Sequence, residues 1–166
     1  MDARGVLTEA FGRITELYDG IAEGLDEDEL AHRPGGTGNS IGWLLWHLAR
    51  VQDDHVADLA GQPQVWEQWQ DKLGLPNGTD DIGYGHTSEQ VDAIRIADPE
   101  VLVGYHHEVT LATARYLETV DERELEREVD QRWDPPVTAG VRLVSIIGDC
   151  LQHLGQAAYV KGLRGA

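Results

Sequence analysis

Four stretches of roughly 20 residues place apolar side chains three and four positions apart, a repetition that restricts the chain to a packing of long amphipathic helices. The first, residues 4–23, sets Leu7, Ala10, Phe11, Ile14, Tyr18 and Ile21 on one stripe. The second follows Asn39 or Ser40 as N-cap and runs to Leu59, where Gly61 and Pro63 stop it. The third opens at Asp98-Pro99, a capping residue ahead of a proline in the first helical position, and reaches Val120. The fourth opens at Thr138 or Gly140 and reaches Gly162. Shorter helical segments are expected at 26–31, 65–73, 88–96 and 121–128, with loops at 33–38 and 74–87. Residues 129–137 are expected to be extended, because Pro135-Pro136 excludes helix. Four helices of ~30 Å, at ~1.5 Å rise per residue, predict one all-α domain over residues 1–166. Its architecture is a four-helix bundle with short extra helices in long connections.

Charge narrows the function classes. The chain carries 30 acidic against 13 basic residues, a formal charge of −17, and no five-residue window holds three Lys or Arg. Phosphate contacts need basic clusters, so a nucleic-acid partner is not expected. No apolar run reaches the length of a membrane span, and the charged N-terminus lacks a signal-peptide core, so no membrane is expected. Cys150 is the only cysteine, which excludes an intramolecular disulfide and points to a reducing cytoplasm.

The candidate chemistry lies on the second and fourth helices. At 100° per residue Ser40, Trp43, His47, Val51 and Asp54 fall within about 40° of one line, so His47 points inward. Asp149 and His153 are four apart and project from one face, with side-chain origins ~6 Å apart. Ile146, Ile147, Cys150, Leu151 and Leu154 surround them, and a buried Asp or His needs an ion or a polar partner. Two imidazoles and a carboxylate meeting in a bundle core suit a divalent cation, Zn²⁺, Ni²⁺ or Mn²⁺, with positions left open for substrate. Hydrogen bonding of Asp149 to His153 or His47 without an ion is the competing reading. Trp43 and Gln156, one turn from His47 and His153, are expected as pocket wall or outer shell. Asp54 sits ~10 Å along the axis from His47 and is expected to line a pocket or meet a partner helix. His106 and His107 point about 100° apart on the third helix, so one of them faces the interior. Asp53 and His55 are expected to be solvated, His86 to face solvent, and Cys150 to be a buried thiol. Phosphate-binding, dinucleotide-binding, nucleophile-elbow and H-E-x-x-H motifs are absent.

The segments NSIGWLLWHLARVQDDHV and GDCLQHLGQAAYVKGL resemble the second- and fourth-helix motifs of the DinB-like family, in its actinobacterial mycothiol-transferase-like branch. The resemblance spans nearly the whole chain. It implies a four-helix bundle, commonly a homodimer, that binds one divalent metal through a helix-two histidine and an H-x-x-x-H pair on the last helix. His47 and His153 match two of those positions, and Asp149 stands at the third. The implied activity is a metal-dependent transferase that uses a low-molecular-weight thiol such as mycothiol with an electrophile. Loop 74–87, or His106 or His107, would border the second substrate. A non-catalytic, divalent-metal-binding or stress-associated bundle is the alternative.

Overall fold

A computed structural model describes residues 1–164. The four long helices are α1 (Ala3–Ala22), α3 (Ile41–Ala60), α6 (Pro99–Glu118) and α8 (Ala139–Arg164). Between them lie α2 (Glu27–Ala31), a 3₁₀ turn at Pro34–Gly36, α4 (Trp66–Leu73), α5 (Ser88–Ala93) and α7 (Glu122–Glu126). The expected extended stretch is a minimal antiparallel ladder of β1 (Glu128–Asp130) and β2 (Val137–Thr138), the one departure from an all-helical chain.

Local chemistry sets the helix ends. Ser40 Oγ accepts the Trp43 amide to open α3, and Gly61, in the left-handed region at φ 62°, closes it. Asp98 caps α6 ahead of Pro99. Thr87 caps α5 in a capping box with Gln90.

Both α1 and α3 pack against α6 and α8, so α1 and α3 lie on one diagonal of the bundle and α6 and α8 on the other. The shared interior holds Phe11, Ile14 and Tyr18 of α1, Leu44, Leu45 and Leu48 of α3, Leu102 and Tyr105 of α6, and Leu143 and Ile146 of α8. Each such aliphatic side chain contributes about 2 kcal/mol of burial. On α8 the apolar residues exceed what the bundle covers: Val141, Val144, Leu151 and Tyr159 are exposed. No described helix is long and apolar enough to cross a membrane.

α3 is buried over most of its circumference, polar residues included. Arg50, which no periodicity marks, is fully buried. Its guanidinium donates to Gln64 Oε1 and the Thr79 carbonyl, each at 2.8 Å, and to Tyr105 Oη at 3.2 Å, and lies 4.7 Å above the Trp66 ring. Asp53 is also buried, against the expectation of a solvated charge. Its two carboxylate oxygens accept the Val65 and Trp66 amides at 2.9 and 2.8 Å, and Oδ2 also accepts the Tyr105 hydroxyl. The first residue of α4 follows a valine that cannot cap it, so α3 provides the acceptor that the local sequence lacks.

Candidate metal centre

His47 on α3 and Asp149 and His153 on α8 converge. One ligand-capable atom from each lies within 4.8 Å of the other two. His47 is almost fully buried, while the His153 and Asp149 side chains keep 18% and 30% of their surface exposed. The cluster is therefore closed on the α3 side and open along α8.

Hydrogen bonds fix both imidazoles in the same sense. His47 Nδ1 meets the Ile82 carbonyl, which can only accept, so the ring hydrogen sits on Nδ1 and Nε2 keeps its lone pair. His153 Nδ1 lies 2.8 Å from Gln156 Oε1, which leaves His153 Nε2 facing Asp149 Oδ1 at 3.6 Å. Histidine ligands of metal ions are commonly oriented in this way, by an outer acceptor on the nitrogen that does not coordinate. Trp43 stacks on His47, ring centroids 4.6 Å apart and planes 15° apart, and presents its edge to His153.

The two histidines are driven apart electrostatically. Burial lowers the His47 pKa from its ordinary value; the bond to Ile82 opposes this and the neighbouring His153 adds to it. The Asp149 carboxylate raises that of His153, against partial burial and with help from Gln156. Asp149 Oδ2 is buried and has no hydrogen-bond partner among the described residues. A carboxylate oxygen in that state carries an uncompensated desolvation cost that a cation would offset. Two neutral-capable imidazoles with open Nε2 lone pairs and one unpartnered carboxylate oxygen fit a divalent cation.

The long loop between α4 and α5 covers the buried side. His86, expected to face solvent, has only 4% of its side chain exposed. Its Nδ1 accepts the Trp43 indole N–H at 3.1 Å, its Nε2 meets Asp81 Oδ1 at 2.8 Å, and its ring stacks on Trp46. Gly83 sits at φ 91°, and a Cβ there would come within 2.8 Å of His47 Nδ1 and 2.9 Å of Trp46 Cζ3. Sequence reasoning missed both residues. Glycine beside histidine in a Gly-, Asn- and Asp-rich loop was the available signal, but it says nothing about where the loop folds back.

Three other expected site residues lie elsewhere. Asp54 is half-buried, accepts Gln64 Nε2 at 2.8 Å and borders a surface recess with His55, Asp130 and Arg132 rather than the cluster. At that level of α3 it faces β1 and the first turn of α8, through Asp130 and Arg142, well before the turn that carries Asp149 and His153. His106 does face the interior, but it lies flat on Tyr18 of α1, ring centroids 3.8 Å apart. His107 is exposed and bonds to Asp19 of α1 at 2.8 Å. Neither borders the cluster, because that face of α6 packs on α1. Cys150 is fully buried, its thiol pushed up in pKa by burial. A recess of about 970 Å³ between the C-terminal ends of α3 and α6 is lined by none of the three converging residues.

Residues 5–165 match the family described as mycothiol-S-transferase. The chain belongs to that family. A solved structure of a conserved protein from Enterococcus faecalis is 31% identical and superposes with a TM-score of 0.88, covering 97% of this chain and 96% of that one. None of the curated proteins matches. Family membership and the all-helical DinB-like fold thus agree with the motifs on α3 and α8.

Proposed function

We propose that this mycothiol-S-transferase family member is a metal-dependent S-transferase that joins a low-molecular-weight thiol of the mycothiol class to a small electrophile. The observation that carries the reading is the carboxylate of Asp149, its Oδ2 orphaned, converging with two imidazoles whose Nδ1 atoms are already bonded. His47, Asp149 and His153 would hold the ion. A bound Zn²⁺, Ni²⁺ or Mn²⁺ supplies Lewis acidity that keeps a thiol deprotonated at neutral pH, so no protein nucleophile is required.

The chain's own groups do the rest. Ile82 and Gln156 hold the two imidazoles with their Nε2 atoms turned to the centre. Trp43 and the loop above it keep water from the His47 side. The open side along α8 is where thiol and electrophile would enter. Buried Cys150 takes no part, and as the sole cysteine it suits a cytoplasmic setting.

The second reading is a non-catalytic metal-binding bundle, favoured by Asp149 standing where the family resemblance places a histidine. One experiment separates the two. Purified protein is stripped with a chelator, reloaded with Zn²⁺, Ni²⁺ or Mn²⁺, and followed by melting temperature and by conjugation of mycothiol to a model electrophile. An ion bound only by the folded state raises the melting temperature, by RT ln(1 + [L]/Kd) in free energy. The transferase reading expects that rise, its loss in Asp149→Ala, its retention in Asp149→His, and conjugation only when loaded. Conjugation unchanged after stripping rejects the mechanism; a melting shift without conjugation leaves the binding bundle.

A homodimer is part of the same reading, supported by the exposed apolar row Val141, Val144, Leu151 and Tyr159 on α8. Sedimentation at micromolar concentration should give twice the 18.3 kDa chain mass. A monomer there would refute it.

A further inference from the structure

The loop between α4 and α5 follows α3 in reverse, one helical turn at a time. Thr79 meets Arg50, Ile82 meets His47, and His86 meets Trp43. Asp81 ties the last two contacts together. Its Oδ1 accepts His86 Nε2 at 2.8 Å and the Gly83 amide at 3.0 Å, and its Oδ2 accepts Asn77 Nδ2 at 2.7 Å.

Those bonds leave little choice of hydrogen placement. His86 Nδ1 receives the indole N–H of Trp43, so its own hydrogen is on Nε2, pointed at Asp81. The same indole lies flat on His47. From the other end, the Asp81–Gly83 turn delivers the Ile82 carbonyl to His47 Nδ1, with Gly83 packed so tightly on that nitrogen that no side chain fits. Two arms leave one carboxylate and close on one imidazole.

We propose that Asp81 is a positioning residue for the centre: through His86 and Trp43 on one side and the Ile82–Gly83 turn on the other, it sets the ring orientation and tautomer of His47. The proposal rests on the reading of His47 as a ligand, but its first readout needs no metal. Outer partners of ligating histidines typically change metal affinity about 10–100-fold when removed. If Asp81 only closed its own loop, removing it would lower stability and leave His47 as it was.

The test uses the full chain. In metal-free protein, ¹⁵N shifts of the imidazoles report which His47 nitrogen carries the hydrogen; Zn²⁺ affinity is then measured by competition with a chromophoric chelator. Wild type should show His47 protonated on Nδ1. Asp81→Ala and His86→Ala should each move His47 toward the Nε2-protonated form and weaken Zn²⁺ about 10–100-fold. The double variant should lose no more than Asp81→Ala alone, since His86 acts only through one of the two arms that Asp81 anchors. Asp81→Asn keeps an acceptor for His86 and Gly83 and should restore both readouts.

Folded Asp81→Ala or His86→Ala protein with His47 still protonated on Nδ1 and Zn²⁺ affinity at the wild-type level would overturn the proposal. Should Asp81→Ala not fold, His86→Ala alone decides it. Wild-type protein that binds no Zn²⁺ would instead defeat the metal reading, while the tautomer comparison would still decide whether Asp81 positions the ring.

Discussion

His106 takes two ring nitrogens into the interior of the bundle, and neither has a hydrogen-bond partner among the described residues. Burial pushes its pKa down to about 3, with His107 adding to the effect, so the folded protein keeps it neutral. In the unfolded chain it takes up a proton below its ordinary value of 6.5. A depressed folded value of this kind contributes stability that is complete above pH ~6.5 and is lost as the pH falls toward ~3. Between about pH 7 and about pH 5 the loss from this residue alone is about 2 kcal/mol. His106→Phe retains a ring against Tyr18 and removes both orphan nitrogens. Urea unfolding should find the variant at least as stable as wild type near neutrality, by about 1 kcal/mol, and less sensitive to acid by about 2 kcal/mol. A variant with the wild-type acid slope would show that another group carries that sensitivity.

At the scale of elements, α3 is read twice: once by α6 and α8 through its apolar faces, and once by the chain that follows it, through Trp43, His47, Arg50 and Asp53. The first reading is written in the sequence. Apolar spacing, Ser40 and Asp98 as caps and Gly61 as stop gave four long helices and brought His47 to the same interior as Asp149 and His153. The second is not, because it depends on where an aperiodic loop folds back. Arg50 and Asp53 look like solvated charges until Gln64, Thr79 and the α4 amides are placed beside them, and His86 looks like a surface residue until Asp81 and Trp43 bracket it. The error over His106 and His107 has a different origin: angular position gave one interior histidine but not which neighbouring helix it would meet.

The contact between α3 and α4 has a measurable worth. Asp53→Ala removes the acceptor for the Val65 and Trp66 amides at the start of α4 and the carboxylate facing buried Arg50. Breaking a buried pair from one side costs about 3–5 kcal/mol, and the remaining Arg50 partners place this case near 3 kcal/mol. Denaturant unfolding should show that loss, with loosened protection of α4 amides in hydrogen exchange. A change under about 1 kcal/mol would mean that water replaces Asp53 without penalty.

For the whole molecule, the formal charge of −17 makes the surface a reservoir of weakly held cations, while the one cluster of ligand-capable His and Asp residues among the described residues joins α3 to α8. Those helices are remote in the chain: Leu48 and Cys150, each beside a member of the cluster, are 102 residues apart. An ion gripped from both sides, and by the folded state alone, would rivet the two ends of the fold together. Stripped protein should therefore be cut by proteases within α8 faster than loaded protein, and equal digestion rates would show that the rivet bears no strain. Metal starvation would then shorten the lifetime of the polypeptide itself, making its abundance a gauge of supply.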